Sequence, residues 1–340
     1  MSAADRTGPS AAAPHGRERE DRGQPVSRGA RVRPGDALLR GVERLAVASS
    51  GRTRGTRQGK RRSGALGSSL EFADYRAYVP GDDFRRLDWN VYGRTGRAYI
   101  RQYWDEQETD VTFYLDVSRS MRFEPGKPDA GPDEWRDANK LLYAARIAAC
   151  AGYAALCGDD RAAAVRFASG VVDRLPPVRG RGAAGRLFEF FEQSLQPAAD
   201  PGAEDLRVPL ASPGALPPRP GVSWLLTDGL YASGIEETLT AFAAARQHLV
   251  FVHVLGPDEW HPQLRGEFRL IDAETEAAKE VAIHENALKA YGEALREHIA
   301  AIRRRCAELG FVYFAVDTSV PVEETVLVRM ARHGLLQRPR

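Results

Sequence analysis

The chain has 340 residues, of which 43% are hydrophobic and 28% charged, and its 48 Lys and Arg nearly balance 46 Asp and Glu. This composition suits a folded protein with a sizeable core and excludes a chain that is strongly acidic or basic as a whole. Three cysteines without a CxxC pair exclude a disulfide scaffold or zinc ribbon. No apolar run reaches the roughly 18 residues of a membrane span, and the N-terminus lacks the apolar stretch of a secretory signal. We therefore expect a cytoplasmic protein without a membrane span.

Residues 1–62 have the composition of an arm and linker. Residues 1–36 contain scarcely any large apolar side chain, which predicts disorder and indicates that they are dispensable for folding. A short apolar stretch with near-helical spacing follows at 38–45. Residues 51–62 then carry six basic residues and no acidic one, a run able to hold a phosphate backbone. Because no aromatic residue interleaves to stack on bases, we favour a solvated linker over nucleic-acid binding.

From residue 109 the pattern becomes periodic. It predicts, in chain order, a strand at 110–115, a helix at 135–157, a hairpin of 162–167 with 171–175, a helix at 186–195, a strand at 222–226, a helix at 235–247, a strand at 249–255, an inserted hairpin within 266–283, a helix at 285–309 and a strand at 311–316. Strands that alternate with helices favour a doubly wound α/β fold, with a mostly parallel sheet covered by helices on both faces. We assign this domain to residues 109–336.

Two predicted strands end on oxygen-rich motifs. The first is Asp116-x-Ser118-x-Ser120, and the second is Thr227-Asp228-Gly. In a parallel sheet, ligands bind at the carboxyl ends of the strands, and carboxylate and hydroxyl oxygens suit Mg²⁺ or Mn²⁺. The alternative is that these side chains only cap the helices that follow.

The stretch before the first strand is the most specific part of the chain. It reads SGALGSSLEFADYRAYVPGDDFRRLDW at 63–89 and continues to Arg101. Together with the two strand-end motifs, it resembles the domain-of-unknown-function 58 family, over about residues 63–333. The resemblance implies a Rossmann-like fold of the von Willebrand factor A type, with a metal-ion-dependent adhesion site formed by Asp116, Ser118, Ser120 and Asp228. It implies no established catalytic activity, and a MoxR-type AAA+ ATPase as the partner of an adaptor in chaperone-like assembly or metal insertion.

The motif departs from a complete adhesion site of this kind, which usually adds a Thr from a third loop. No threonine occurs between Thr112 and Thr227, and the corresponding loop carries Arg179 and Arg181. Two alternatives follow. Either a metal is held with water at the missing position, or Arg179 or Arg181 neutralises the two carboxylates and faces the partner.

Residues 63–108 form a leader, dense in both charge signs. Trp89, Tyr92 and Arg94 are residue types that protein interfaces favour, so the leader is a candidate docking surface. The alternative, which we favour, is a lock in which Arg85, Arg86 and Asp88 pin the leader to the domain.

The function class expected from these patterns is a non-catalytic protein-interaction module. An aspartate-dependent Mg²⁺ phosphotransferase or phosphatase is the enzyme alternative, because a nucleophilic Asp also follows an apolar strand in such enzymes. Those enzymes generally need a second acid two residues on, where this chain has Ser118. His253 falls inside a predicted strand and is expected to be a core residue.

Overall fold

The computed structural model describes residues 32–48, 72–103, 108–125, 130–196, 203–262, 266–271 and 278–338. The predicted disorder of residues 1–31 and the basic run at 51–62 lie outside the described residues, as does the start of the leader.

The described residues form helices and strands that we number along the chain. They are α1 (Asp36–Val42), β1 (Ala46–Val47), β2 (Phe72–Ala77), α2 (Trp89–Thr95), β3 (Tyr99–Tyr103), β4 (Asp110–Asp116), α3 (Arg119–Arg122), α4 (Lys140–Cys157), β5 (Arg161–Phe167), β6 (Val171–Arg179), α5 (Ala184–Gln193), α6 (Arg207–Leu210), β7 (Gly221–Thr227), α7 (Ile235–Ala244), β8 (Gln247–Leu255), α8 (Pro257–Trp260), β9 (Gly266–Ile271), β10 (Ala278–Ile283), α9 (Glu285–Glu308), β11 (Val312–Asp317), α10 (Val322–Glu324), α11 (Met330–Arg332) and β12 (Leu336–Gln337). A π-helical segment, Thr325–Arg329, joins α10 to α11.

The centre of the fold is a six-stranded sheet in the order β11-β8-β7-β4-β5-β6. Every neighbouring pair is parallel except β5 and β6, which form the hairpin predicted from their sequence. The mixed α/β class and the mostly parallel sheet are therefore confirmed. The inserted hairpin is also present, as the antiparallel pair β9–β10.

The core lies on both faces of this sheet, as alternation along the strands requires. Phe113 and Leu115 of β4 join the apolar cluster on one face, and Tyr114 joins the cluster on the other. Helix α4 lies in the first cluster, with every residue buried except Arg146 and Cys157. Within the described residues it is the one helix that has the length and hydropathy to cross a membrane, and 89% of it is buried in this fold.

Residues 32–48, which fall within the predicted arm of residues 1–62, pack on the domain. Val32 is fully buried, and its backbone N–H donates to Glu192 Oε2 at 2.7 Å. Further on, β1 pairs with β12 near the C-terminus. The prediction of disorder for 1–36 is therefore wrong for residues 32–36. The average composition of residues 1–36 gives no sign that a single valine, Val32, packs in the core.

The leader has a small fold of its own in residues 72–103. Strands β2 and β3 pair as an antiparallel hairpin, and α2 lies in the connection between them. Asp88 is buried and is the N-cap of α2, with its Oδ1 accepting the N–H groups of Asn90 at 2.9 Å and Val91 at 3.1 Å. Its Oδ2 accepts the Tyr75 hydroxyl at 2.8 Å. These contacts stabilise the leader internally, and the lock of the leader onto the domain stays a prediction.

Candidate functional site

The structure brings Asp116 and Asp228 together at the carboxyl edge of the sheet. Asp116 is the last residue of β4, and Asp228 follows the last residue of β7. Strands β4 and β7 are parallel neighbours, so their carboxyl ends meet. If the six strands of the central sheet are renumbered 1 to 6 by their order along the chain, so that β4 is 1 and β7 is 4, their order across the sheet is 6-5-4-1-2-3. The junction of strands 1 and 4 is where the chain reverses its direction across the sheet, and ligands bind at such a switch point in open α/β sheets.

Asp116 is held by three donors. Its Oδ1 accepts the backbone N–H of Ser118 at 3.0 Å, and its Oδ2 accepts the hydroxyls of Thr227 at 2.6 Å and Tyr231 at 2.8 Å. Burial raises the pKa of Asp116 to about 6, with the neighbouring charge of Asp228 as the second cause. The hydroxyls of Ser118 and Ser120 lie 3.2 Å apart beside it, so all three residues of the first motif lie in the site.

The positive charge of the site is Lys140, the first residue of α4. Its Nζ donates to Asp228 Oδ2 at 2.8 Å and to Glu259 Oε1 at 2.5 Å. The side chains of Lys140 and Asp228 are only 7% and 1% exposed. Burial alone would lower the pKa of Lys140, but the two carboxylates outweigh burial and raise it. Conversely, burial would raise the pKa of Asp228, and Lys140 lowers it instead. Both groups therefore carry their charges inside the protein.

Glu259 reaches Lys140 from the short helix α8. Its second carboxylate oxygen, Oε2, accepts the backbone N–H of Gly256 at 2.7 Å, which closes the turn on which it lies. Its own carbonyl accepts the Tyr291 hydroxyl at 3.1 Å. With a side chain 22% exposed, Glu259 lies on the solvent side of Lys140, whereas Asp228 lies on the inner side.

Two histidines fix the backbone of the second motif. Nε2 of His253 lies 2.7 Å from the Asp228 carbonyl, and Nε2 of His298 lies 2.9 Å from the Gly229 carbonyl. Gly229 has a φ of +65°, and a Cβ there would lie 3.2 Å from the His253 ring, so glycine suits this turn. His253 is fully buried in β8, as predicted for a core residue, and it also supports the site.

Arg179 and Arg181 lie elsewhere, so the prediction that one of them neutralises the carboxylates is wrong. Arg179 forms an ion pair with Glu108, and Arg181 forms one with Glu43 at 3.1 Å. The reason is the antiparallel direction of β6. Its last residue, Arg179, lies opposite Arg161, the first residue of β5, and is therefore at the amino edge of the sheet.

Trp89, Tyr92 and Arg94 lie on α2 of the leader, and all three are exposed. The Trp89 side chain is 64% exposed, and its ring meets that of Tyr92 edge-on, with the centroids 6.2 Å apart. This pair is an apolar surface separate from the elements that build the Asp116–Asp228 site.

Sequence reasoning missed Lys140, Glu259 and Tyr231. One signal was available for Lys140, because it follows the N-cap Asn139, and a cation at a helix N-terminus is unfavourable with the helix dipole unless acids compensate it. Glu259 carried no comparable signal, since it lies 119 residues from Lys140 in the chain.

The hydrogen bonds and the charge of this site do not require a divalent metal. Both oxygens of Asp116 accept hydrogen bonds, and Asp228 has Oδ2 on Lys140 and Oδ1 on the N–H of Leu230 at 3.2 Å. The ammonium group already supplies the charge that a cation would bring.

Fold and site together define an α/β protein with a buried polar site at the switch point of a mostly parallel sheet. A family model described as "Protein of unknown function DUF58" matches residues 74–301. The chain belongs to this family.

Two mycobacterial relatives are described as uncharacterised proteins. The chain is 26% identical over 253 residues to uncharacterised protein Mb1516 of Mycobacterium bovis and to uncharacterised protein Rv1480 of Mycobacterium tuberculosis, and the match covers 74% of this chain and 76% of each relative.

Among solved structures, BatB from Bacteroides thetaiotaomicron is 17% identical with a TM-score of 0.36, over 66% of this chain and 98% of that one. An aerotolerance-related membrane protein from Bacteroides fragilis is 18% identical with a TM-score of 0.32, over 64% of this chain and 96% of that one. TM-scores of this size do not establish a shared fold.

Proposed function

We propose that the chain is a non-catalytic protein-interaction module of the von Willebrand factor A type. It acts as an adaptor that binds a MoxR-type AAA+ ATPase, in chaperone-like assembly or metal insertion. The partner docks at the carboxyl edge of the sheet, above Asp116 and Asp228. The observation that carries this proposal is the junction of these two carboxylates at the switch point between β4 and β7.

The sheet order supports the fold part of the proposal. Read from the β6 edge, the six strands, numbered by their order along the chain, stand in the order 3-2-1-4-5-6. This is the strand order of the doubly wound Rossmann fold. An exposed apolar side chain supports the docking part. Leu230 follows Asp228 by two residues and is 51% exposed, which gives the edge of the site a contact that a partner can bury.

The alternative of an aspartate-dependent phosphotransferase is disfavoured by the state of Asp116. A nucleophilic carboxylate must reach its substrate with a free oxygen. Asp116 is fully buried, and the three donors described above hold both of its oxygens. Its role in the proposed module is to shape the loop that carries Ser118 and Ser120.

The form of the proposal in which Mg²⁺ or Mn²⁺ bridges the partner is not favoured, because Lys140 supplies the positive charge at Asp228. We therefore propose a site that works without a divalent metal.

The proposal is tested by measuring the affinity of the purified full chain for a purified MoxR-type AAA+ ATPase from the same genome, by biolayer interferometry. Leu230→Ala is expected to weaken binding at least fivefold, and Trp89→Ala tests whether the leader contributes a second contact. Val328→Ala, which truncates another exposed apolar side chain in the π-helical segment, is the matched control and should bind like wild type. Absence of binding by wild type, or equal losses in Leu230→Ala and Val328→Ala, would contradict the proposal. Phosphatase turnover that depends on Asp116 would overturn the non-enzyme assignment.

A further inference from the structure

A buried lysine lies between two carboxylates of unequal exposure at this site. Lys140 Nζ contacts Asp228, whose side chain is 1% exposed, and Glu259, whose side chain is 22% exposed. Moving an ammonium group out of water costs several kcal/mol unless charged partners compensate it. The location at the first position of α4 adds to that cost, because the helix dipole is positive there. The contacts with Asp228 and Glu259 offset both penalties.

The two carboxylates differ in how they are held. Asp228 follows a central strand, and two histidines fix the carbonyls of its turn. Glu259 comes from a helix of only four residues, and the contacts of its carboxylate that the structure describes are those to Gly256 and Lys140. Asp228 is therefore the more buried partner of Lys140, and Glu259 is the partner closer to solvent.

Exchange of one carboxylate for another leaves the charge of the site unchanged. If Glu259 turns toward solvent and an external carboxylate takes its place, Lys140 and Asp228 keep the same neighbours and no new buried charge is created. A second cation in the same place would instead add charge next to the ammonium. The site therefore selects an anion, and the planar carboxylate already bound there shows which kind of anion fits.

We propose that the outer face of Lys140 is a binding site for an Asp or Glu side chain of a partner, and that Glu259 occupies this site as an internal ligand in the free protein. The ligand class is an acidic peptide segment with an apolar neighbour that packs on Leu230. This inference rests on the proposed function for the identity of the partner, but the site can be tested without any partner.

The test uses acetate as a stand-in for the partner carboxylate. Thermal unfolding of the full chain is measured at pH 7.5 in sodium acetate and in sodium chloride of equal ionic strength. Glu259→Ala removes the internal ligand, and we expect acetate to raise its unfolding midpoint saturably, with an apparent affinity at least tenfold tighter than for wild type. Glu285→Ala is the matched control. It strips a carboxylate from the exposed Lys289, 3.4 Å away, and should show no acetate-specific shift.

A second pair of variants assigns the effect to Lys140. Lys140→Met combined with Glu259→Ala should lose the acetate response entirely. If Glu259→Ala does not fold, Glu259→Gln, which keeps the contact of an oxygen with the Gly256 N–H but removes the charge, is measured instead and should respond in the same direction.

The proposal is overturned if neither Glu259 variant responds to acetate more than wild type does, or if the response survives loss of Lys140. These outcomes are distinct from failure of the proposed function. An acetate site in a chain that does not bind the ATPase would refute the partner alone, and ATPase binding without an acetate site would refute the role of Lys140 and Glu259 alone.

Discussion

Replacement of Lys140 by Met tests the electrostatics of the site. Methionine keeps an unbranched side chain with good helix propensity and removes only the ammonium group. At an effective dielectric constant of about 20, two unit charges 4 Å apart interact by about 4 kcal/mol, so two carboxylate contacts supply roughly 8 kcal/mol. Desolvation of the ions offsets several kcal/mol of this gain. Loss of one partner of a buried pair then costs about 3–5 kcal/mol, because the remaining charge is left uncompensated.

The assay is urea unfolding at pH 7.5 in chelator-treated buffer. Lys140→Met is expected to lower the free energy of unfolding by about 3–5 kcal/mol. Adding Asp228→Asn should recover more than half of the loss, since it removes the stranded charge. Lys289→Met is the matched control, because that lysine is 67% exposed and pairs with Glu285 within one helix. Such a pair contributes under about 0.5 kcal/mol.

Two results would refute this reasoning. One is a loss under about 1 kcal/mol for Lys140→Met, the value of an exposed ion pair. The other is a double variant no more stable than the single one, which would mean that the charge of Asp228 is compensated by something other than Lys140.

Three further predictions concern the surrounding structure. Val32→Ala should cost about 2 kcal/mol of stability in thermal unfolding, because it empties a fully buried position; an unchanged midpoint would restore the predicted boundary at residue 36. Asp88→Ala should cost about 1 kcal/mol as a lost helix cap and increase hydrogen exchange at Asn90, whereas unchanged exchange there would contradict the capping role. Burial lowers the pKa of His253 to about 4. The contribution of the neutral imidazole to the free energy of unfolding is therefore fully present above pH 6.5 and is lost as the pH falls from 6.5 toward 4. The slope of stability against pH in that window should flatten in His253→Gln, and an unchanged slope would assign it to other groups.

Much of the fold could be predicted from the sequence, because the patterns that indicate its strands and helices are local. The Ala168-Ser-Gly170 turn between two β-rich runs predicted the β5–β6 hairpin, and the alternation of strands and helices predicted a mostly parallel sheet. Val32 was not accessible, since a single apolar residue among Gly, Pro and Arg gives no periodic pattern. Its burial depends on tertiary contact with the core.

The site was accessible only in part, for a related reason. Asp116 and Asp228 each end a predicted strand, and parallel neighbours bring such ends together. Lys140, the partner of Asp228, lies 88 residues from it along the chain, and Glu259, the second carboxylate on Lys140, lies 119 residues from Lys140. No local pattern encodes these distances. Arg179 was misplaced because its strand pairs antiparallel with β5, which carries the end of that strand to the opposite edge of the sheet.

We propose that Lys140, and not a metal, is the cation of the carboxyl-edge site. Calorimetric titration of MgCl₂ into the chelator-treated full chain tests it most directly. We expect no saturable heat for wild type, and a magnesium-binding signal in Lys140→Met, where Asp228 and Glu259 lack their ammonium group. Stoichiometric magnesium binding by wild type that Asp116→Asn abolishes would contradict the claim.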